Sequence, residues 1–591
     1  MAGHCAVEKI GLRCTLGIPG VHYEKLIANN LTLYIEAIPM NGAQALMRTL
    51  VNAGIEVCFT NPGTSEMHFV AALDSAPGMR AVLCLFEGVA TGAADGYARM
   101  ANKPAATLLH LGCGLGNGLA NLHNARRGKV PVVNIVGDHA TYHVQYDAQL
   151  QSDIETVARN VSPGFVRTSG STAELCRDAV DAVKAAKGLP GQVATLILPA
   201  DVSWGAGGMA EPAPQIAPPD AADDATVQAI ASVISSGGRT ALLLGSRALG
   251  ESALLAAARI AAKTGIKVYA ETFPTRLERG AGLPTVERIA YLAEMASLQF
   301  KEIDNLILVD AKAPVSFFAY PGKKSYLPPD NCTTRTLSTP EQNAAGSLEK
   351  LCRKLGADQI VPELAPASRP GRPRGKMLTA EKVCKAVGYL LPANSILIDE
   401  AITSGLMLSK FTAGALRHDL ITLTGGAIGQ GLPNAIGAAI ACPERPVLAL
   451  IGDGSSMYTI QALWTLAREK LNVTAIIFNN ASYSVLNVEL ERVGAEDAGP
   501  KAKAQLDLHG PVLNFTQIAE GMGVHALRAA ETEEFLGALE RALATPGPHL
   551  IEAVVPPALA GLKLKLLPHI LNSLDSMPQP IARMLKRKIA P

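Results

Sequence analysis

The chain has 591 residues, 48% of them hydrophobic and 18% charged, with 53 Lys plus Arg against 52 Asp plus Glu. A formal net charge of +1 gives no electrostatic footprint for nucleic acid, and the apolar content excludes a disordered chain. No apolar run reaches the ~18–20 residues of a bilayer span, and the 10 cysteines form no C-x-x-C pair, which argues against a zinc ribbon or disulfide scaffold and points to a reducing cytoplasm.

Residues 1–39 lack the basic start, apolar core and cleavage site of a secretory signal and read as an N-terminal extension or an upstream start. A regular pattern opens at Met40. Over 40–206, the apolar runs Val57–Phe59, Ala105–Leu109, Val132–Val136 and Ala194–Leu198 alternate with helical patterns, the signature of a parallel sheet covered on both faces. The Pro-rich stretch from Gly207 to Asp220 is a linker. A second α/β block spans 222–357, with strands expected at Thr240–Leu244, Lys267–Tyr269 and Asn305–Val309. A second linker carries Pro362, Pro366, Pro370 and Pro373, and a third block spans 377–560. The predicted fold class is α/β, three doubly wound parallel-sheet domains followed by a basic amphipathic tail over 561–591.

The third block carries the most informative motif. Val447–Ile451 fits a buried parallel strand and is broken by Gly452-Asp453-Gly454. Ile460, Leu463, Trp464, Ala467 and Leu471 then mark one helix face, and a second strand ends at Asn479-Asn480. In such a βαβ unit the right-handed crossover brings both strand ends to the sheet edge where α/β proteins bind ligands. A carboxylate with an amide oxygen is a hard-oxygen set that suits Mg²⁺ once phosphate oxygens complete the octahedron. Glycines there let backbone N–H groups approach a phosphate.

Asp453 to Asn480 resembles the diphosphate-and-metal motif of thiamine diphosphate (ThDP) enzymes, in the family of benzoylformate decarboxylase, acetolactate synthase and pyruvate decarboxylase. Three further segments carry the resemblance: Asn61-Pro-Gly-Thr-Ser-Glu66, Phe86-Glu87 through Asp95-Gly-Tyr-Ala-Arg99, and the Gly-rich run Gly425–Gly437. It implies a pyrimidine-binding domain at 40–206, a central domain and a diphosphate-binding domain at 377–560. It implies Mg²⁺ on the side chains of Asp453 and Asn480 and the backbone carbonyl of Ser482, with Gly452, Asp453, Gly454 and Ser455 forming the diphosphate turn. Glu87 is then the carboxylate that hydrogen-bonds N1′ of the aminopyrimidine, Gly426 offers its carbonyl to the 4′-amino group, and Ile428 holds the cofactor bent. In these relatives the domain of Glu87 meets the third domain of another subunit, so a homodimer or homotetramer with interfacial active sites is implied.

His110, in Leu108-Leu-His-Leu-Gly-Cys-Gly-Leu-Gly-Asn117, resembles the active-site histidine of benzoylformate decarboxylase, and Thr64 stands where that enzyme has a serine on the substrate carboxylate. Gln151 stands where acetolactate synthases have a glutamine. No second histidine occurs in Pro274–Gly280, and Glu489 replaces the aromatic residue of the relatives, which hints at a more polar or extended substrate. No G-x-G-x-x-G is present, so FAD is not expected.

The resemblance implies decarboxylation of a small 2-oxo acid through a C2-carbanion and enamine. The alternative is an acetolactate synthase-type carboligase, in which a second carbonyl compound captures the enamine. The tail has Lys563, Lys565, Arg583, Lys586, Arg587 and Lys588 among leucines and reads as a lid or packing arm, with membrane contact the weaker reading. Pro568, Pro578 and Pro580 are expected to cut its helices short.

Overall fold

The computed structural model describes residues 40–320, 322–495, 498–558, 562–574 and 577–589; the expected N-terminal extension lies outside them. The first domain is a parallel sheet of β1 (Val57–Asn61), β2 (Arg80–Leu83), β3 (Ala105–Leu109), β4 (Val132–Asp138), β5 (Val166–Thr168) and β6 (Val193–Pro199), in the order β2-β1-β3-β4-β6-β5. The largely apolar strands β3, β4 and β6 are buried with helices over both faces, and the polar Thr107, Asn134 and Thr195 side chains within them hydrogen-bond to one another. Met40–Asn41 pairs antiparallel with Ala206–Gly208, closing the domain at the residues where the pattern begins and ends.

The central domain has β7 (Thr240–Leu244), β8 (Lys267–Ala270), β10 (Glu287–Arg288), β11 (Asn305–Val309) and β12 (Thr333–Ser338), ordered β10-β8-β7-β11-β12 and parallel. Between β8 and β10, β9 (Leu277–Arg279) leaves this domain and pairs antiparallel with the edge of the third sheet. The sequence marks no strand there; three residues with no periodicity become one because the edge beside them offers unpaired backbone groups.

The third sheet contains β13 (Ser395–Glu400), β14 (His418–Thr422), β15 (Val447–Gly452), β16 (Val473–Asn479), β17 (His525–Ala529) and β18 (His549–Val554), in the order β9-β14-β13-β15-β16-β18-β17. All but β9 run parallel. The expected helix between β15 and β16 is shorter than its apolar face, Ala462–Arg468. Its buried side is Ala462, Leu463, Thr465 and Leu466, and Trp464 is displaced from the core to lie under Arg468. Contact with the first domain sets that rotation, since the Thr465 hydroxyl donates to the Leu83 carbonyl at 3.2 Å.

Helix α1 (Glu87–Ala101) and helix α4 (Gly431–Ala441) join the first and third domains within one chain. A Cβ on Gly96 would lie 2.2 Å from the Asn434 carbonyl oxygen, and one on Gly437 1.9 Å from that of Ala93, so only glycines permit this approach. The fully buried pair Asp95–Arg99 lies in the same seam; Arg99 also donates to the carbonyls of Thr275 and Thr422 and to the Thr424 hydroxyl.

The tail forms two helices, α7 (Leu562–Ser573) and α8 (Gln579–Ile589). Contrary to the sequence expectation, α7 runs through Pro568. Leu567, Leu571 and Leu574 pack with Met295, Leu298 and Val488, and this burial offsets the lost helix hydrogen bond. Pro580 sits in the first turn of α8, where its missing N–H costs nothing. Arg583 pairs with Glu302 at 2.5 Å and Lys586 with Glu287, so these basic groups face the protein. No helix among the described residues is long and apolar enough to cross a membrane.

Candidate active site

The strand ends of the first domain bring one group of predicted residues together. Helix α2 (Leu111–Arg127) starts directly after β3, with His110 as its N-cap and Leu111 at φ +51°, a strained conformation of the kind stored at functional turns. His110 Nδ1 lies 2.9 Å from Glu66 Oε2, and the Glu66 side chain is fully buried while that of His110 keeps 21% exposure. Glu66 also accepts the Gly63 N–H at 2.7 Å and the Ser65 hydroxyl. A carboxylate that only accepts makes Nδ1 the donor and leaves Nε2 for chemistry.

Thr64 is exposed in the adjoining turn, and the hydroxyl beside the imidazole is that of Ser65, at 3.4 Å. Gln151 follows β4, its Oε1 buried without a partner among the described residues.

Glu87 opens α1 and is 7% exposed. A carboxylate in a first helical turn is favoured by the helix dipole. Asn117, two turns into α2, donates to Glu87 Oε2 at 3.0 Å and fixes its orientation.

In the third domain, Asp453 follows β15 and is 4% exposed. Its Oδ1 accepts the Gly454 N–H at 2.8 Å and its Oδ2 the Asn480 N–H at 3.0 Å. Burial pushes the carboxyl above its ordinary range, against the pull of these backbone donors. Asn480 Oδ1 accepts the Ser482 N–H at 2.9 Å, and Ala481 between them takes φ +51°. The segments after two neighbouring strands, one carrying Asp453 and the other Asn480 and Ser482, are thus tied together by hydrogen bonds.

The residues present fit a divalent cation with a diphosphate. Asp453 is a buried anion with no ion pair among the described residues, and its neighbours offer neutral oxygens. The nearby Ser484 hydroxyl is buried without a partner among the described residues. A Cβ on Gly454 would fall 2.2 Å from the Tyr483 ring, so the turn is kept bare. No group of three His, Cys, Asp or Glu able to hold a metal occurs among the described residues.

The Gly-rich segment of the third domain is hydrogen-bonded to helix α2 of the first. Gly426 is exposed at φ +78°, and Ile428 is partly buried. His123 Nε2 lies 3.2 Å from the Gly425 carbonyl. Asn124 brackets Ala427, donating to its carbonyl at 2.7 Å and accepting its N–H at 3.2 Å, and Asn121 donates to the Gly429 carbonyl at 3.2 Å.

Sequence reasoning gave no role to Glu66, Asn117, Asn121 or Asn124. A signal was present: Asn117, Asn121 and Asn124 recur at i, i+4 and i+7, an amide stripe along one face of α2. The reading of Glu489 needs correction. It lies on α6 (Ser484–Arg492), hydrogen-bonded to the Tyr320 hydroxyl and paired with Arg492 at 3.2 Å, and Arg492 also binds Glu294 at 3.0 Å. Its charge is satisfied internally, so it gives no reason to expect a polar substrate.

Known proteins share this organisation. Residues 40–158 match the N-terminal TPP binding domain of thiamine pyrophosphate enzymes, and residues 407–553 match the C-terminal TPP binding domain. A Mycobacterium tuberculosis protein provisionally named acetolactate synthase large subunit IlvX is 55% identical, over 88% of this chain and 99% of its own length. Benzoylformate decarboxylase of Pseudomonas aeruginosa is 28% identical over 84% of this chain and 96% of its own. Among solved structures, a thiamine diphosphate-dependent 4-hydroxybenzoylformate decarboxylase from Rhodococcus jostii RHA1 superposes with a TM-score of 0.77 at 23% identity, covering 88% of this chain and 99% of that one. The matched cofactor domains and a relative of this identity along nearly its whole length show that the chain belongs to the thiamine pyrophosphate enzyme family.

Proposed function

We propose that this chain is a ThDP- and Mg²⁺-dependent 2-oxo acid decarboxylase, a carbon–carbon lyase releasing CO₂ and an aldehyde. The observation that carries the reading is the His110–Glu66 pair, which flanks the same helix α2 whose Asn117 holds Glu87. It supplies an imidazole with a defined free nitrogen for moving a proton to the product.

The side chains of Asp453 and Asn480 and the Ser482 carbonyl would hold Mg²⁺, and the Gly452–Ser455 turn the diphosphate. Gly426 and Ile428 would orient the aminopyrimidine. When bound, ThDP supplies the electron sink for cleavage of the bond to the carboxylate. Glu87 holds a proton at the ring nitrogen. Thr64, with Ser65 beside it, contacts the substrate carboxylate, and His110 Nε2 exchanges a proton with the reacting carbon or oxygen. FAD has no role in this scheme.

The second reading is an acetolactate synthase-type transferase, which joins the decarboxylated fragment to another carbonyl compound; the name of the 55% identical relative favours it. Incubation with ThDP, Mg²⁺ and a panel of aromatic, aliphatic and acidic 2-oxo acids, with CO₂ and organic product followed together by NMR, separates them. Equal CO₂ and aldehyde support the lyase. A 2-hydroxyketone or acetohydroxy acid overturns it in favour of the transferase.

The enzyme is further proposed to act as a homodimer or homotetramer with active sites at the subunit interface; an active monomer in gel filtration refutes this. The eight described cysteines are all unpaired, which supports a cytoplasmic setting.

A further inference from the structure

We propose that Glu400 is a positioning residue for the cofactor, holding in place the turn Gly429–Gly431 that directly follows Gly426 and Ile428. The inference rests on the ThDP reading above.

Glu400 ends β13, beside β15, and is 2% exposed. Both carboxylate oxygens are spent on one turn: Oε1 accepts the N–H of Gly429 at 2.6 Å and of Gln430 at 3.3 Å, and Oε2 accepts the N–H of Gly431 at 2.6 Å. These three successive donors open α4, so the carboxylate sits at a helix N-terminus where the dipole favours an anion. From the opposite side, the Thr459 hydroxyl donates to the Gly429 carbonyl at 2.8 Å. The Gln430 side chain donates to Asp95 on the helix of Glu87 at 2.6 Å. The turn is therefore fixed at once to the diphosphate-domain sheet and to the helix of the pyrimidine-side carboxylate.

A carboxylate here has a cost. Burial pushes Glu400 up to about 7, its neighbour Asp399 adds repulsion, and no cation pairs with it among the described residues. Only its hydrogen bonds to the turn compensate. A neutral side chain would bury more easily, but it has no second accepting oxygen for the third N–H. Glu400 makes no hydrogen bond to Gly426 or Ile428 and acts through the turn that follows them.

The test is calorimetric titration of ThDP with Mg²⁺ into the full-length protein, combined with steady-state kinetics at saturating ThDP. In Glu400→Gln the amide offers one accepting oxygen and turns an NH₂ group toward a backbone N–H. Losing one charge-assisted hydrogen bond should raise the ThDP Kd by ~10-fold or more. Substrate KM at saturating ThDP should stay within about two-fold, with kcat lowered. Thr459→Val, which loosens the same turn from the other side, should shift the ThDP Kd in the same direction by a few-fold and decides the matter if the first variant does not fold. A folded variant with wild-type ThDP affinity overturns the proposal. A wild-type chain that binds no ThDP overturns the cofactor reading, and this inference with it.

Discussion

Glu66→Gln isolates the contribution of a residue that touches no proposed cofactor ligand. The buried carboxylate holds His110 Nδ1 at 2.9 Å and takes the Gly63 N–H and the Ser65 hydroxyl as well. Glutamine keeps the volume and one acceptor, so the turn should persist, but the charge opposite the imidazole is gone. A hydrogen bond to a charged group is worth about 1.5–3 kcal/mol. If that stabilisation is realised only when the imidazole carries an extra proton, kcat/KM should fall about 10- to 150-fold, at 1.36 kcal/mol per decade. His110→Ala should lose at least as much. The double variant should be no worse than His110→Ala, because Glu66 acts through the ring. Continuous CO₂ release across the pH range, with ThDP occupancy checked by calorimetry, measures each term. A folded, cofactor-loaded Glu66→Gln enzyme within about two-fold of wild type would refute this reasoning.

Glu87→Gln should keep ThDP affinity within about ten-fold while lowering kcat by roughly 10²–10⁴, the usual range for a lost acid–base group, read from titration and turnover on one preparation. Asp453→Asn should instead abolish Mg²⁺-dependent ThDP binding, and EDTA dialysis of the wild type should produce the same loss, reversed by added Mg²⁺; retained calorimetric binding would contradict the metal assignment. His418 is 3% exposed, and burial, with Arg279 nearby, pushes its imidazole from 6.5 down to about 4. A histidine buried neutral contributes stability that is fully present above its ordinary value and lost as pH falls through 6.5 towards 4. The wild type should thus lose about 3 kcal/mol relative to His418→Gln over that interval. Urea melts at pH 7.5 and pH 4.5 read the difference, and parallel losses in both proteins would show that His418 is not the group responsible.

The strands at Thr240–Leu244 and Asn305–Val309 coincide with the expected runs: each is apolar from its second position on, as burial on both faces favours, and each stops where Gly245 or Asp310 follows. Asp453 and Asn480 were legible for a related reason. Glycine breaks and paired amides at strand ends are local features, and the handedness of the crossover brings both strand ends to one edge of the sheet without further information. What lay beyond the sequence depends on partners distant along the chain. β9 is a strand only because the edge of the third sheet lies beside it, and α7 continues through Pro568 only because its leucines find Val488 and Leu298. Glu489 looked available until Arg492 and Tyr320 closed on it. Glu66 closes the Asn61–Glu66 turn that carries part of the resemblance, but neither it nor Glu400 carries a local mark of what its carboxylate holds. Their role comes from burial against His110 in one case and three backbone donors in the other, and long-range packing alone creates those surroundings.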